Sequence, residues 1–246
     1  DNVTIRVEGN LTVQGGIVAA NTSGGLLEVK AKSIVSDGAS VFISDRLVVS
    51  SEGSVKVNTL IESLVLDSTV LGDVSVNEAT GLKVERMLVN DGDIDITAGG
   101  DLYLVDVKNV ADGDHIVIKT ATNMYVDYVE AANAVGAMKT AGTVTVDAKG
   151  TLYEWDADTN GTPASNSLEQ YSPDLYAYKV VVRGNTATAP VFLADPSVKG
   201  TGNDLEVKYI ATSDGLTTGA TQVTQLAAYA TGSGMQVNTA STSQQA

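Results

Sequence analysis

A short phrase recurs four times between Gly72 and Trp155: a glycine, two alternating apolar residues, a polar turn, then two more apolar residues. The copies open as GDVSVNEATGLKV, GDIDITAGGDLYL, GDHIVIKTATNMYV and GTVTVDAKGTLYEW. Val74, Ile94, Ile116 and Val144 lead them. Leu82, Leu102, Met124 and Leu152 follow eight positions later, and Met87, Val107, Val129 and Ala157 thirteen positions later. The copies themselves start 20, 22 and 28 residues apart. A constant internal phase with variable spacing describes one structural unit whose loops differ in length, which is the mark of a solenoid.

Within each copy the apolar residues alternate, as in Ile94 and Ile96, Leu102 and Leu104, and Ile116 and Ile118. Period two with mostly β-branched side chains is the strand signature. Runs such as TAGGD, TATN and DAKGT separate the strands. Tight hairpins use such turns too, so the turns alone leave the fold open. The coil-to-coil repeat favours a parallel β-helix, because about 20 residues suit three short strands and three bends. Stacked coils set like residues over like at roughly 4.8 Å. Ile94 is then expected on Val74 and beneath Ile116.

The expected fold is all-β: a parallel β-helix over residues 1–156, followed by an irregular β-rich C-terminal part. Residues 1–71 carry the pattern less cleanly. Val13, Ile34 and Val55 lie 21 apart and lead into Val74, while Leu27 and Leu47, 20 apart, are assigned to the column of Met87 and Val107. After Trp155 the register breaks, and Glu154 already falls where earlier copies have Val84, Leu104 and Val126. Residues 157–211 read as an inserted loop plus further strands (LYAYKVVV and LEVKYIA) that either continue the solenoid or form a separate module. Residues 212–246 read as a low-complexity Thr/Ala/Ser/Gly tail or an assembly segment. A chain opening on Asp1 reads as a mature or excised piece. Its first coil has no capping helix before it, so its open edge calls for a neighbour.

Composition narrows the function. Apolar residues make up 43% of the chain and aromatics only 5%, so the core is aliphatic, as a narrow β-helix requires. A net charge of −15 argues against a nucleic-acid footprint and against a polybasic membrane contact. Cysteine is absent, which removes disulfides and thiolate metal sites. No stretch is long and apolar enough for a membrane-spanning helix. His115 is the only histidine, so a multi-histidine metal site is impossible, and no G-x-S-x-G accompanies it.

Three sets of residues are candidate sites. In DADTNGT, the residues Asp156, Asp158 and Asn160 alternate and Gly161 follows, which matches the start of a calcium loop. The acid expected at its twelfth position is replaced by Ser167, and the plain alternative is a polar turn. The doublets Asp91 and Asp93, and Asp112 and Asp114, flank glycines at what read as equivalent corners. Four carboxylates there would hold a cation, calcium being the expected one, or would splay into water. Tyr103, Tyr125 and Tyr153 form an outward ladder that would bind sugar rings or a neighbouring fibre, or simply stack. No catalytic residue is assigned and no cofactor other than calcium is expected. Arg46, Arg86 and Arg183 would be the cationic partners if carboxylates cleaved a polysaccharide, although the acidic surface would repel a polyuronate.

TAGGDLYL after the GDIDI strand resembles the haemagglutinin-type repeats of filamentous-haemagglutinin-like adhesins, the large bacterial surface proteins with runs such as GDI-x-I-x-AGGDL-x-L. The match is good over Gly92–Leu104 and partial at Gly72–Val84, Gly113–Val126 and Gly142–Tyr153, about a third of the chain. The resemblance implies a right-handed β-helix and an exported, surface-associated structural or adhesive role. It carries no catalytic residues. The expectation is a non-enzymatic extracellular protein: an adhesin shaft, or a subunit of a filament or sheath that self-assembles head to tail through residues 1–15 and 216–246, with a cell-surface glycan as a further partner. The alternative is a β-helix that binds or cleaves carbohydrate.

Overall fold

The computed structural model describes residues 1–111, 113–131, 142–150, 152–154, 175–184, 191–192, 210–218, 223–225 and 229–230. Every described element is a strand, and every described strand pair is parallel. Strands adjacent in sequence do not form hairpins. Ile94–Ala98 pairs with Val74–Glu78 on one side and with His115–Thr120 on the other, and Leu102–Leu104 pairs with Leu82–Val84 and Met124–Val126. The chain is therefore a parallel β-solenoid. One ladder runs through Leu11, Ile34, Val55, Val74, Ile94, Ile116, Val144, Val180 and Leu216. We number the coils from first to ninth by these rungs. The first five steps of the ladder average about 21 residues. The last three widen to 28, 36 and 36 residues, so coils of very different length keep one register.

Alternation explains the cross-section. Val74, Val76, Ile94, Ile96, Ile116, Ile118, Val144 and Val146 are all buried, and the residues between them face outward. No coil has two faces between which to hide these side chains; each covers its neighbour's, so burial accrues between coils. Phe42 is the one aromatic residue of the described core. At one corner Gly92 has φ of 119°, and a β-carbon there would lie 2.5 Å from the Gly72 carbonyl carbon of the coil below. The corner thus needs glycine for its left-handed backbone and for close coil-to-coil approach.

Four features depart from the sequence expectation. Ile34 stacks on Leu11, and Val13 faces Ser36, because the first coil carries extra residues in its turn between Ala19 and Leu26, where the coil above passes directly from Ile43 to Arg46. Leu27 and Leu47 stand in the column of Leu64 and Val84, whereas Val49, Leu66 and Met87 form the next column. The cause is a one-residue bulge at Glu85: Leu64 faces Val84 but Val65 faces Arg86. Leu175 is the rung above Val129, where the thirteen-residue phase pointed to Ala157. Finally, the second and third coils lack one of the three bends. The strands Val41–Ser51 and Val55–Leu71 run straight through the position at which later coils turn.

The corner that precedes the missing bend carries a step between the third and fourth coils. Four positions separate Thr59 from Ser63, but five separate their partners Glu78 and Lys83, and five again separate Ala98 from Tyr103. The extra residue pulls the Ile61 N–H out of the ladder. The Glu78 carboxylate replaces the missing acceptor: it takes the Ile61 N–H at 3.0 Å and the Thr80 N–H and hydroxyl at 2.8 Å each, with only 2% of the residue exposed. The bulged Glu85 reaches back two coils to Arg46, whose Nε and a terminal nitrogen donate at 3.1 and 2.7 Å. The Arg46 hydrogen bond, followed by its charge, holds the Glu85 carboxyl below the usual glutamate range.

At the N-terminal end, Val3, Ile5, Val7, Leu11, Val13, Val18 and Ala20 pack against the core but are only partly buried, since among the described residues no coil covers them from below. At the other end, Leu175–Gly184 pairs with the strands at Val129 and Thr143, and Ile210–Thr218 pairs in turn with Leu175–Gly184.

Candidate functional site: a tyrosine ladder above a groove

Tyr103 lies between the buried Leu102 and Leu104, and Tyr125 lies between Met124 and Val126, so alternation turns both rings outward. They are register partners, and one strand spacing brings the rings together. The centroids are 4.3 Å apart and the planes 6° from parallel. Tyr153 pairs with Tyr125 along the backbone and so continues the row. Below Tyr103 the row becomes polar, through Lys83, Ser63 and Arg46.

An open groove of about 470 Å³ lies where the aromatic row meets this polar one, lined by Asp45, Glu62, Ser63, Gly81, Leu82, Lys83, Asp101 and Tyr103. Its lower wall belongs to the strands Val41–Ser51 and Val55–Leu71 and its upper wall to the two coils above, so the groove is the outer side of the step. The Asp101 carboxylate also accepts the Asn123 N–H at 3.1 Å, which fixes it on the corner above. Three carboxylates, one ammonium group and a phenol ring provide acceptors, a cation and an aromatic face. Such a set suits binding by hydrogen bonds and ring packing.

The acidic corner is arranged differently from the sequence expectation. Two positions separate Gly92 from Ile94, but three separate Gly113 from Ile116, so the doublets are one residue out of step. Three carboxylates at this corner each serve a backbone N–H of the adjacent coil: Asp73 accepts from Asp93, Asp93 from His115 at 2.8 Å, and Asp114 from Gly92 at 2.7 Å. These bonds cap amides that the bend takes out of the ladder. Among the described residues, no three or more His, Cys, Asp or Glu side chains group as a metal site would require. Asp112, Asp156, Asp158 and Asn160 lie outside the described residues.

Of the cationic candidates, Arg46 is engaged by Glu85, and Arg86 lies 3.5 Å from Asp67. The Arg183 backbone pairs with Asp147. His115 is exposed beside Asp93. The structure thus joins Tyr103 and Tyr125 into one surface and adds Asp45 and Glu62, which lie outside the recurring phrase, and Lys83 and Asp101, which lie inside it. The available signal was phase alone: Lys83 holds the tyrosine position one coil earlier.

No family model, curated protein or solved structure matches this chain.

Proposed function

We propose that the chain is a non-enzymatic structural and adhesive component of an extracellular or bacterial cell surface, forming the shaft of an adhesin or the repeating unit of a filament or sheath. The observation that carries this reading is the uninterrupted ladder from Leu11 to Leu216, which ends at a coil whose inward residues are only partly covered. A rod built from stacked coils transmits load along its axis and can extend by adding a coil at an open edge. Electron microscopy of the purified chain at increasing concentration tests it. Rods that lengthen end to end support the reading, and monodisperse particles at every concentration oppose a filament subunit.

A second reading, carbohydrate binding on the outer face, is favoured by the parallel rings of Tyr103 and Tyr125 above the groove. It is compatible with the first, because an adhesive shaft carries its contacts on its sides.

A further inference from the structure

The adhesive role proposed above needs a contact point, and the step supplies one. We infer that the groove between Glu62 and Tyr103 binds an amino sugar, a pyranose carrying a protonated amine, within a glycan chain.

The geometry favours a sugar ring. Tyr103 is backed by the parallel ring of Tyr125 and so presents a stiff aromatic plate beside the groove. The C–H face of a pyranose packs on such a plate, while its hydroxyl groups project to the sides. There they meet Asp45, Glu62, Ser63 and Asp101 as acceptors and Lys83 as a donor. The walls are strand and corner backbone, with Asp101 held by Asn123 and the corner below held by buried Glu78. Little ordering is left to do when a ligand arrives, and this favours measurable affinity from a small contact.

Charge selects the kind of sugar. Three carboxylates against one ammonium group leave the groove at −2, on a chain whose net charge is −15. A uronate would be repelled and a neutral sugar tolerated. An ammonium group among the carboxylates gains attraction and charge-assisted hydrogen bonds.

Isothermal titration of the full chain with glucosamine tetramer, N-acetylglucosamine tetramer and galacturonate tetramer tests this. The glucosamine tetramer is expected to bind roughly tenfold tighter than its acetylated form, since acetylation removes the charge. Galacturonate should give no binding heat. Glu62→Gln and Asp45→Asn change exposed or half-exposed groups and leave the core intact; each should weaken binding severalfold. Tyr103→Ala should abolish it. Glu52→Gln, an exposed acid outside the groove, should leave it unchanged. Equal affinity for the two tetramers, no heat with either, or an equal loss in Glu52→Gln would overturn the inference. The last of these would mark unspecific attraction to an acidic surface. Rods seen by microscopy without glucosamine binding would sink the groove and leave the shaft standing.

Discussion

Ile94 lies between Val74 and Ile116 with none of its surface exposed, so it has neither water nor a polar partner within reach. Ile94→Asp places an unpaired charge inside three stacked coils and should cost on the order of 4 kcal/mol, read as a fall in the urea midpoint. An unchanged midpoint would mean that the column is not the core. Gly92→Ala should cost about 1–3 kcal/mol, because its backbone conformation excludes a β-carbon and the coil below crowds it. Thr59→Val should go the other way. The Thr59 hydroxyl is buried without a hydrogen-bond partner among the described residues, so an isosteric methyl should gain about 1 kcal/mol. The Arg46–Glu85 pair gives a pH dependence. Arg46 lowers the Glu85 pKa in the folded state, so the pair's contribution is present above the unfolded glutamate value and lost as the pH falls through the folded one. Both groups are about a third or more exposed, so this contribution is at most about 1 kcal/mol. The stability difference between the wild type and Glu85→Gln should shrink between neutral and strongly acidic pH. A difference that stays constant would show that the guanidinium is not what lowers the carboxyl.

At the scale of elements, the step divides the solenoid into coils that turn three times and coils that do not. Glu78→Ala leaves the buried Ile61 N–H without an acceptor and should cost about 1–3 kcal/mol. Glu78→Gln keeps a carbonyl oxygen for that amide and should cost less, and equal losses would mean that the carboxylate acts by bulk alone. The sequence made the strands and the later columns readable, because Ile94, Ile116 and Val144 are apolar at a fixed phase and their corners carry glycine. The straight second and third coils were hidden for the converse reason. Inward alternation runs through Leu47, Val49 and Ser51 and through Leu64, Leu66 and Ser68 with no glycine or other break at the bend position. The bulge at Glu85 was hidden because Leu27 and Leu47 lie 20 apart, a spacing that suits either adjoining column. The tyrosine row was readable because one residue type recurs at one phase. The groove was not, since its walls come from four coils, and Asp45, Glu62 and Ser63 lie outside the recurring phrase. Glu78 could have been found: it holds the inward phase of Ala98, Thr120 and Ala148.

On the scale of the whole molecule, stability comes from contacts between successive coils, so in the proposed filament the partly covered first coil is where another copy would add. The backbone on that edge is specific about how. The Val7 N–H donates to the Lys30 oxygen of the coil above, and alternation then directs the N–H and C=O groups of Thr4 and Arg6 to the open side. A strand from a second copy would pair with these groups, and the half-buried Val3 and Ile5 would set its register. The contact is heterologous, so it grows a filament unless it closes into a ring. Copies with a net charge of −15 repel one another, and salt should therefore promote growth by screening. Thr4→Pro removes one outward backbone donor and, toward the coil above, only the exposed hydroxyl bond from Thr4 to Glu28 at 3.1 Å, and proline is tolerated on a strand edge. The variant should keep the wild-type melting temperature while sedimenting as a single small species at concentrations and salt levels where the wild type elongates. Deleting residues 216–246 is the companion experiment, but it uncovers the Val180 rung as a fresh edge, so it should slow growth less than the proline does. If Thr4→Pro and the wild type have the same size distribution in high salt, the first coil is not the joint.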